Sequence, residues 1–70
     1  MNNKLEHLTK REIEVIKLVS QGLENSEIAK ELGISIHTVK ANLEAIYYKL
    51  NAKNRIQAVI KSVQLNYIEI

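Results

Sequence analysis

The sequence contains no cysteine, so neither a disulfide nor a thiolate metal site can hold the fold together. Its two histidines are isolated, with no acidic cluster beside them, which argues against a metal-stapled core; no cofactor is expected. Proline is absent and glycine occurs twice, so little interrupts helix formation. Abundant Ile, Leu, Lys and Glu point to an all-α fold. No apolar run approaches the roughly 20 residues that cross a membrane, and the N-terminus lacks an apolar signal core; a cytoplasmic protein with no membrane partner is expected. A glycine-rich phosphate loop, a Ser/His/acid set and a cysteine nucleophile are all missing, and 70 residues leave little room for a concave pocket. An enzyme is therefore the poorest reading. One domain is expected, and a chain of this size buries only about 60% of the surface its unfolded form exposes.

The net charge is +2, too small to identify a partner by itself. Its distribution says more. Residues 1–34 hold five Lys/Arg and six Glu, residues 35–61 hold five Lys/Arg against Glu44 alone, and residues 62–70 hold only Glu69. Positive charge is thus concentrated in 35–61, as an electrostatic footprint for phosphate requires.

That region opens with a helix of about four turns, Ser35 to Leu50. Val39, Leu43, Ile46 and Leu50 share one stripe at i, i+4, i+7 and i+11, so they should be buried. The opposite stripe is His37, Lys40, Ala41, Glu44 and Tyr48, which suits either water or the hydrogen-bonding floor of a DNA major groove. The preceding segment favours the groove. Asn25 to Leu32 reads as a short helix, Gly33 as its left-handed end, Ile34 as an inward residue and Ser35 as the cap of the next helix. Helix, short turn with glycine, helix is the helix-turn-helix pattern, in which the second helix enters the groove.

The remaining elements follow from caps and stripes. Residues 1–7 lack periodicity and read as a flexible N-terminal arm. Leu8 then serves as a staple before a capping box of Thr9 and Glu12. The first helix buries Val15, Ile16 and Val19, with Ile13 and Leu18 as flanking packing, and ends at Gly22. The second begins near Glu24 or Asn25, Asn25 being the better cap by residue type, and turns Ile28, Ala29 and Leu32 inward. Asn54 caps a last helix from about Arg55 to Gln64 or Leu65. This last helix has two apolar stripes. Ala58, Val59, Ser62 and Leu65 can cover the core, which leaves Ile56, Ile60, Val63 and Tyr67 facing outward. Four aligned apolar residues form a patch, for which a symmetric homodimer contact is the expectation; scattered surface exposure is the blander alternative.

The residues Leu8-Thr9-x-Arg11-Glu12-x-Glu14-Val15-Ile16-x-Leu18, Gly22, Asn25-x-Glu27-Ile28-Ala29-x-x-Leu32-x-Ile34-Ser35-x-x-Thr38-Val39-Lys40 and Ile46-x-x-Lys49-Leu50-Asn51-Ala52-x-Asn54-Arg55-x-Gln57-Ala58-Val59 closely resemble the LuxR-type (GerE-type) helix-turn-helix domain. The match runs in register over residues 8–67, leaving 68–70 as a tail. The resemblance implies a four-helix DNA-binding domain of bacterial transcription regulators that dimerises through its fourth helix. It also implies that Lys40, Ala41 and Glu44 face bases, while Ser35, Thr38 and Lys49 meet the DNA backbone. Three positions depart from the family pattern. Asn42 stands where the family usually has His, Ser26 where Lys is common, and Glu44 where Lys or Arg is frequent; a carboxylate there cannot bind guanine acceptors but can accept from cytosine N4.

The expected partners are double-stranded DNA and a second copy of the chain, with RNA polymerase a candidate third, and the expected location is the bacterial nucleoid when bound. Lys40 is the best single reader of guanine O6 or N7. His37 touches a base or phosphate, or is a surface residue. Tyr48 and Lys53 are phosphate candidates, Tyr47 is mainly packing, and Arg55 serves either the backbone or an ion pair with Glu12. A stand-alone regulator and the C-terminal part of a longer one fit the sequence equally. The runner-up function is a protein-interaction module that keeps the helical fold without DNA affinity, a reading that the modest charge and Glu44 support.

Overall fold

The computed structural model describes residues 7–70, which form four α-helices and no strand: α1 (Lys10–Ser20), α2 (Asn25–Leu32), α3 (Ile36–Leu50) and α4 (Arg55–Gln64). Apart from His7, the arm expected over 1–7 lies outside the described residues.

Three helices start on a side-chain oxygen that accepts from the N–H of the third helical residue, a contact that stabilises a helix by about 1 kcal/mol. Thr9 Oγ1 accepts from Glu12 N (3.1 Å), Ser35 Oγ from Thr38 N (3.0 Å) and Asn54 Oδ1 from Gln57 N (2.8 Å). The capping box at Thr9 is complete, since Thr9 N donates to Glu12 Oε1 at 2.8 Å. At α2 the cap is Glu24, whose N–H donates to Glu27 Oε1 at 2.7 Å. Asn25, the better cap by residue type, is instead the first helical residue, and its side chain is used elsewhere.

All four helices end the same way. A residue with positive φ follows, and the next N–H donates back to a carbonyl five residues earlier. The left-handed positions are Gly22 (φ 93°), Gly33 (φ 69°), Asn51 (φ 55°) and Asn66 (φ 66°). The closing bonds are Leu23 N to Leu18 O, Ile34 N to Ala29 O, Ala52 N to Tyr47 O and Tyr67 N to Ser62 O. With only two glycines in the chain, asparagine supplies the other two turns, as its short polar side chain tolerates this region.

α1 packs on α3 and α4, and α2 mainly on α3, so α3 is the central element. The expected stripes Val15/Ile16/Val19 and Val39/Leu43/Ile46/Leu50 are buried, together with Ile28, Ala29, Ala58 and Leu8. Ile13, Leu18, Leu32 and Ile34 pack at the margin of this core. Two expectations at the C-terminus fail. Leu65, assigned to the core, caps α4 and is 58% exposed, whereas Ile68, assigned to the tail, is 6% exposed. The left-handed turn at Asn66 reverses the chain after α4 and carries Ile68 back inward, so α4 has no further turn on which Leu65 could face the core.

Candidate nucleic-acid interface

α2 and α3 are joined by Gly33, Ile34 and Ser35 alone. Gly33 supplies the sharp turn, Ile34 anchors it against the core and Ser35 starts α3. Because Val39, Leu43, Ile46 and Leu50 fix the inner stripe of α3, the opposite stripe must face out. His37, Lys40, Ala41, Glu44 and Tyr48 are all exposed, Tyr48 at 78%.

The polar groups of α3 divide into those used within the fold and those left outward. Ser35 Oγ, besides capping, donates to Thr38 Oγ1 at 3.0 Å, and Asn42 Nδ2 donates to Thr38 O at 3.0 Å. Asn42, which stands where the family usually has His, is thereby tied to its own helix. Lys40 and Glu44 hold no ion pair among the described residues, where the pairs are Arg11–Glu14 and Lys49–Glu12. Lys53, in the turn after α3, is exposed as well.

Lys49 is placed differently from its expected role at the DNA backbone. Its Nζ donates to Glu12 Oε1 at 2.9 Å and to the His7 carbonyl at 3.2 Å, with its side chain only 17% exposed and that of Glu12 7%. The last turn of α3 is thus clamped to the start of α1. Glu12 Oε1 accepts from both Thr9 N and Lys49 Nζ, which makes the buried carboxylate tolerable. Arg55 does not form the ion pair with Glu12 considered for it. Its Nη1 donates to Asn25 Oδ1 (2.8 Å) and its Nη2 to Leu23 O (2.9 Å), tying α4 to the α1–α2 turn. Lys61, unassigned from the sequence, donates from Nζ to Asn51 O at 2.8 Å and so covers the C-terminal end of α3. Three of the five basic residues in 35–61 therefore serve the fold. Lys40 and Lys53 remain for a partner.

The outer stripe of α4 is shorter than expected. Ile56 (73%) and Ile60 (49%) are exposed, but Val63 is half-buried against the core and Tyr67 lies beyond the helix. The Tyr67 hydroxyl accepts from Leu8 N at 3.3 Å and lies 3.3 Å from His7 Nδ1, which binds the C-terminal segment to the N-terminal one. Val19, Arg55 and Val59 join Ile56 and Ile60 around a shallow groove.

An outward polar stripe on the second helix of a tight helix-turn-helix is the arrangement found in DNA-binding domains of transcription regulators. The comparisons agree: residues 6–62 match the family model for bacterial regulatory proteins, luxR family (GerE). The chain belongs to that family. Over 64 residues it is 44% identical to response regulator protein VraR of Staphylococcus aureus, and equally to the proteins of that name from Staphylococcus saprophyticus and Staphylococcus epidermidis, covering 91% of this chain and 31% of each relative. The crystal structure of response regulator ChrA of a heme-sensing two-component system superposes with a TM-score of 0.86 at 41% identity, covering 90% of this chain and 31% of that one. The chain therefore spans under a third of the length of these relatives. None of the described helices is long and apolar enough to cross a membrane.

Proposed function

We propose that the protein is a sequence-specific, dimeric transcription regulator that reads the DNA major groove with α3 and acts in the cytoplasm. The observation that carries this reading is the outward stripe His37, Lys40, Ala41, Glu44 and Tyr48, exposed on the helix whose other face is the centre of the core. With α3 in the groove, α2 crosses the backbone and the two helix N-termini offer N–H groups to phosphates. Lys40 reaches guanine O6 or N7, while Ser35, Thr38, Tyr48 and Lys53 border the groove at phosphates. Ile56 and Ile60 pair two copies across a two-fold axis, so that two recognition helices meet successive turns of the duplex. The names of its relatives support a role as the DNA-binding part of a response regulator.

Selection from random double-stranded DNA at two salt concentrations tests this function. Enrichment of paired half-sites about one helical turn apart, with affinity falling steeply as salt rises, is the expected result. Absence of both enrichment and salt sensitivity would overturn it in favour of a protein-interaction module docking through Ile56 and Ile60.

A further inference from the structure

We infer that Glu44 is a base-specificity determinant that, together with Lys40, makes the half-site depend on G·C pairs, the carboxylate accepting from cytosine N4. The inference rests on the proposal that α3 lies in the major groove, and adds which bases that face selects.

Four observations lead to it. Glu44 is exposed on the same stripe as Lys40, and neither holds an ion pair among the described residues. Their order, Lys before Glu at i and i+4, is the less favourable one for pairing along a helix, so both charges stay available to a partner. Ser35, Thr38 and Asn42, the other small polar residues of this half of α3, are bonded to one another or to the α3 backbone. The charges that remain to address base edges from this helix are Lys40 and Glu44.

A carboxylate facing a duplex is repelled by phosphates and by most of the groove floor. Guanine O6 and N7 and thymine O4 are acceptors and offer it nothing. The donors it can meet are the exocyclic amines of cytosine and adenine, and adenine sets its N7 acceptor beside that amine. Cytosine is therefore the base a carboxylate selects. Lys40 seeks the complementary pattern, the O6 and N7 acceptors of guanine. Four residues of α-helix rise about 6 Å. Successive base pairs are about 3.4 Å apart, so the two side chains address pairs no more than about two steps from each other. Glu44 also lowers affinity for every sequence that lacks a donor at its position, which sharpens selectivity at the expense of non-specific binding.

The test is selection from random duplex DNA with the wild-type protein, Glu44→Gln and Glu44→Ala, with circular dichroism to verify that each exposed-site variant keeps its helices. The wild type should enrich cytosine at one position of each half-site. Glu44→Gln should change that position to adenine, whose N6 and N7 a carboxamide can engage together, and Glu44→Ala should leave it degenerate. The remaining positions should be unchanged. On the wild-type site, Glu44→Gln should bind about tenfold more weakly, while its non-specific binding should rise. Identical preferences for the wild type and Glu44→Gln, or equal weakening by Glu44→Gln on all sequences, would overturn the inference while leaving the DNA-binding function standing. A wild-type protein that enriches no sequence and binds without salt sensitivity would overturn both.

Discussion

Lys49 and Glu12 form a largely buried pair, and removing one member leaves the other a buried charge without its counter-charge. Lys49→Met should destabilise the fold by about 3 kcal/mol, read from chemical denaturation, with Lys49→Met/Glu12→Gln recovering part of the loss. A loss of DNA affinity without any loss of stability would return Lys49 to the phosphate role that the family resemblance gave it. Ser62 presents the opposite case: its Oγ is fully buried with no hydrogen-bond partner among the described residues. Ser62→Ala should therefore leave stability unchanged or raise it by about 1 kcal/mol, whereas a clear destabilisation would mean the hydroxyl is satisfied in solution. Single residues were the least legible part of the sequence. The cap of Thr9 on Glu12 was readable because it is local, spanning three positions. The bonds from Lys49 to Glu12, Arg55 to Asn25 and Lys61 to Asn51 join residues 37, 30 and 10 positions apart, and a basic residue at such a position reads as a phosphate contact until the fold places a carbonyl or carboxylate beside it.

At the scale of the element, turns and stripes decide the outcome. A Cβ built on Gly33 meets nothing within 4 Å, so the only obstacle to substitution is the left-handed backbone itself. Gly33→Ala should cost about 1 kcal/mol in thermal or chemical unfolding, and Gly33→Asn less, as Asn51 and Asn66 hold the same conformation natively. Equal losses for both would indicate a packing role that the open space around Gly33 contradicts. Helix boundaries and inner stripes were legible for α1, α3 and most of α4, since caps and the 3.6-residue period act within a few residues. The end of α4 was not. Extending the apolar period to Leu65 and Tyr67 overlooked the ability of Asn66 to take the left-handed turn that glycine makes elsewhere. What remains of the outer stripe is Ile56 and Ile60. Ile60→Glu, at a half-exposed position, should leave the monomer folded and remove cooperative binding to paired half-sites, as followed by sedimentation and by titration of one-site and two-site duplexes. Unchanged dimerisation would remove this patch from the account.

For the whole molecule, the division of labour is between a clamped scaffold and an open face. Lys49 ties α1 and His7 to α3, Lys61 ties α4 to the end of α3, and the Tyr67 hydroxyl joins the segment after α4 to His7 and Leu8, so α3 presents its outer stripe from a fixed base. The four-helix class and the position of the helix-turn-helix were readable because they need only periodicity and one glycine turn. Of the five basic residues in 35–61, Lys49 is offset by Glu12, while Arg55 and Lys61 bond neutral oxygens and keep their charge. Lys40 is the basic residue on the outward stripe of α3. Lys40→Ala should weaken binding to the selected site by about 1–3 kcal/mol and relax preference at one base pair, and equal weakening on unrelated duplexes would reduce it to a phosphate contact. The most direct test of the central claim is to titrate an isotopically labelled protein with its selected duplex and follow the backbone amide resonances. Perturbations concentrated between Ser35 and Tyr48 and at Lys53, with α1 little affected, would establish α3 as the reading helix. Perturbations confined to α4, or none at all, would contradict it.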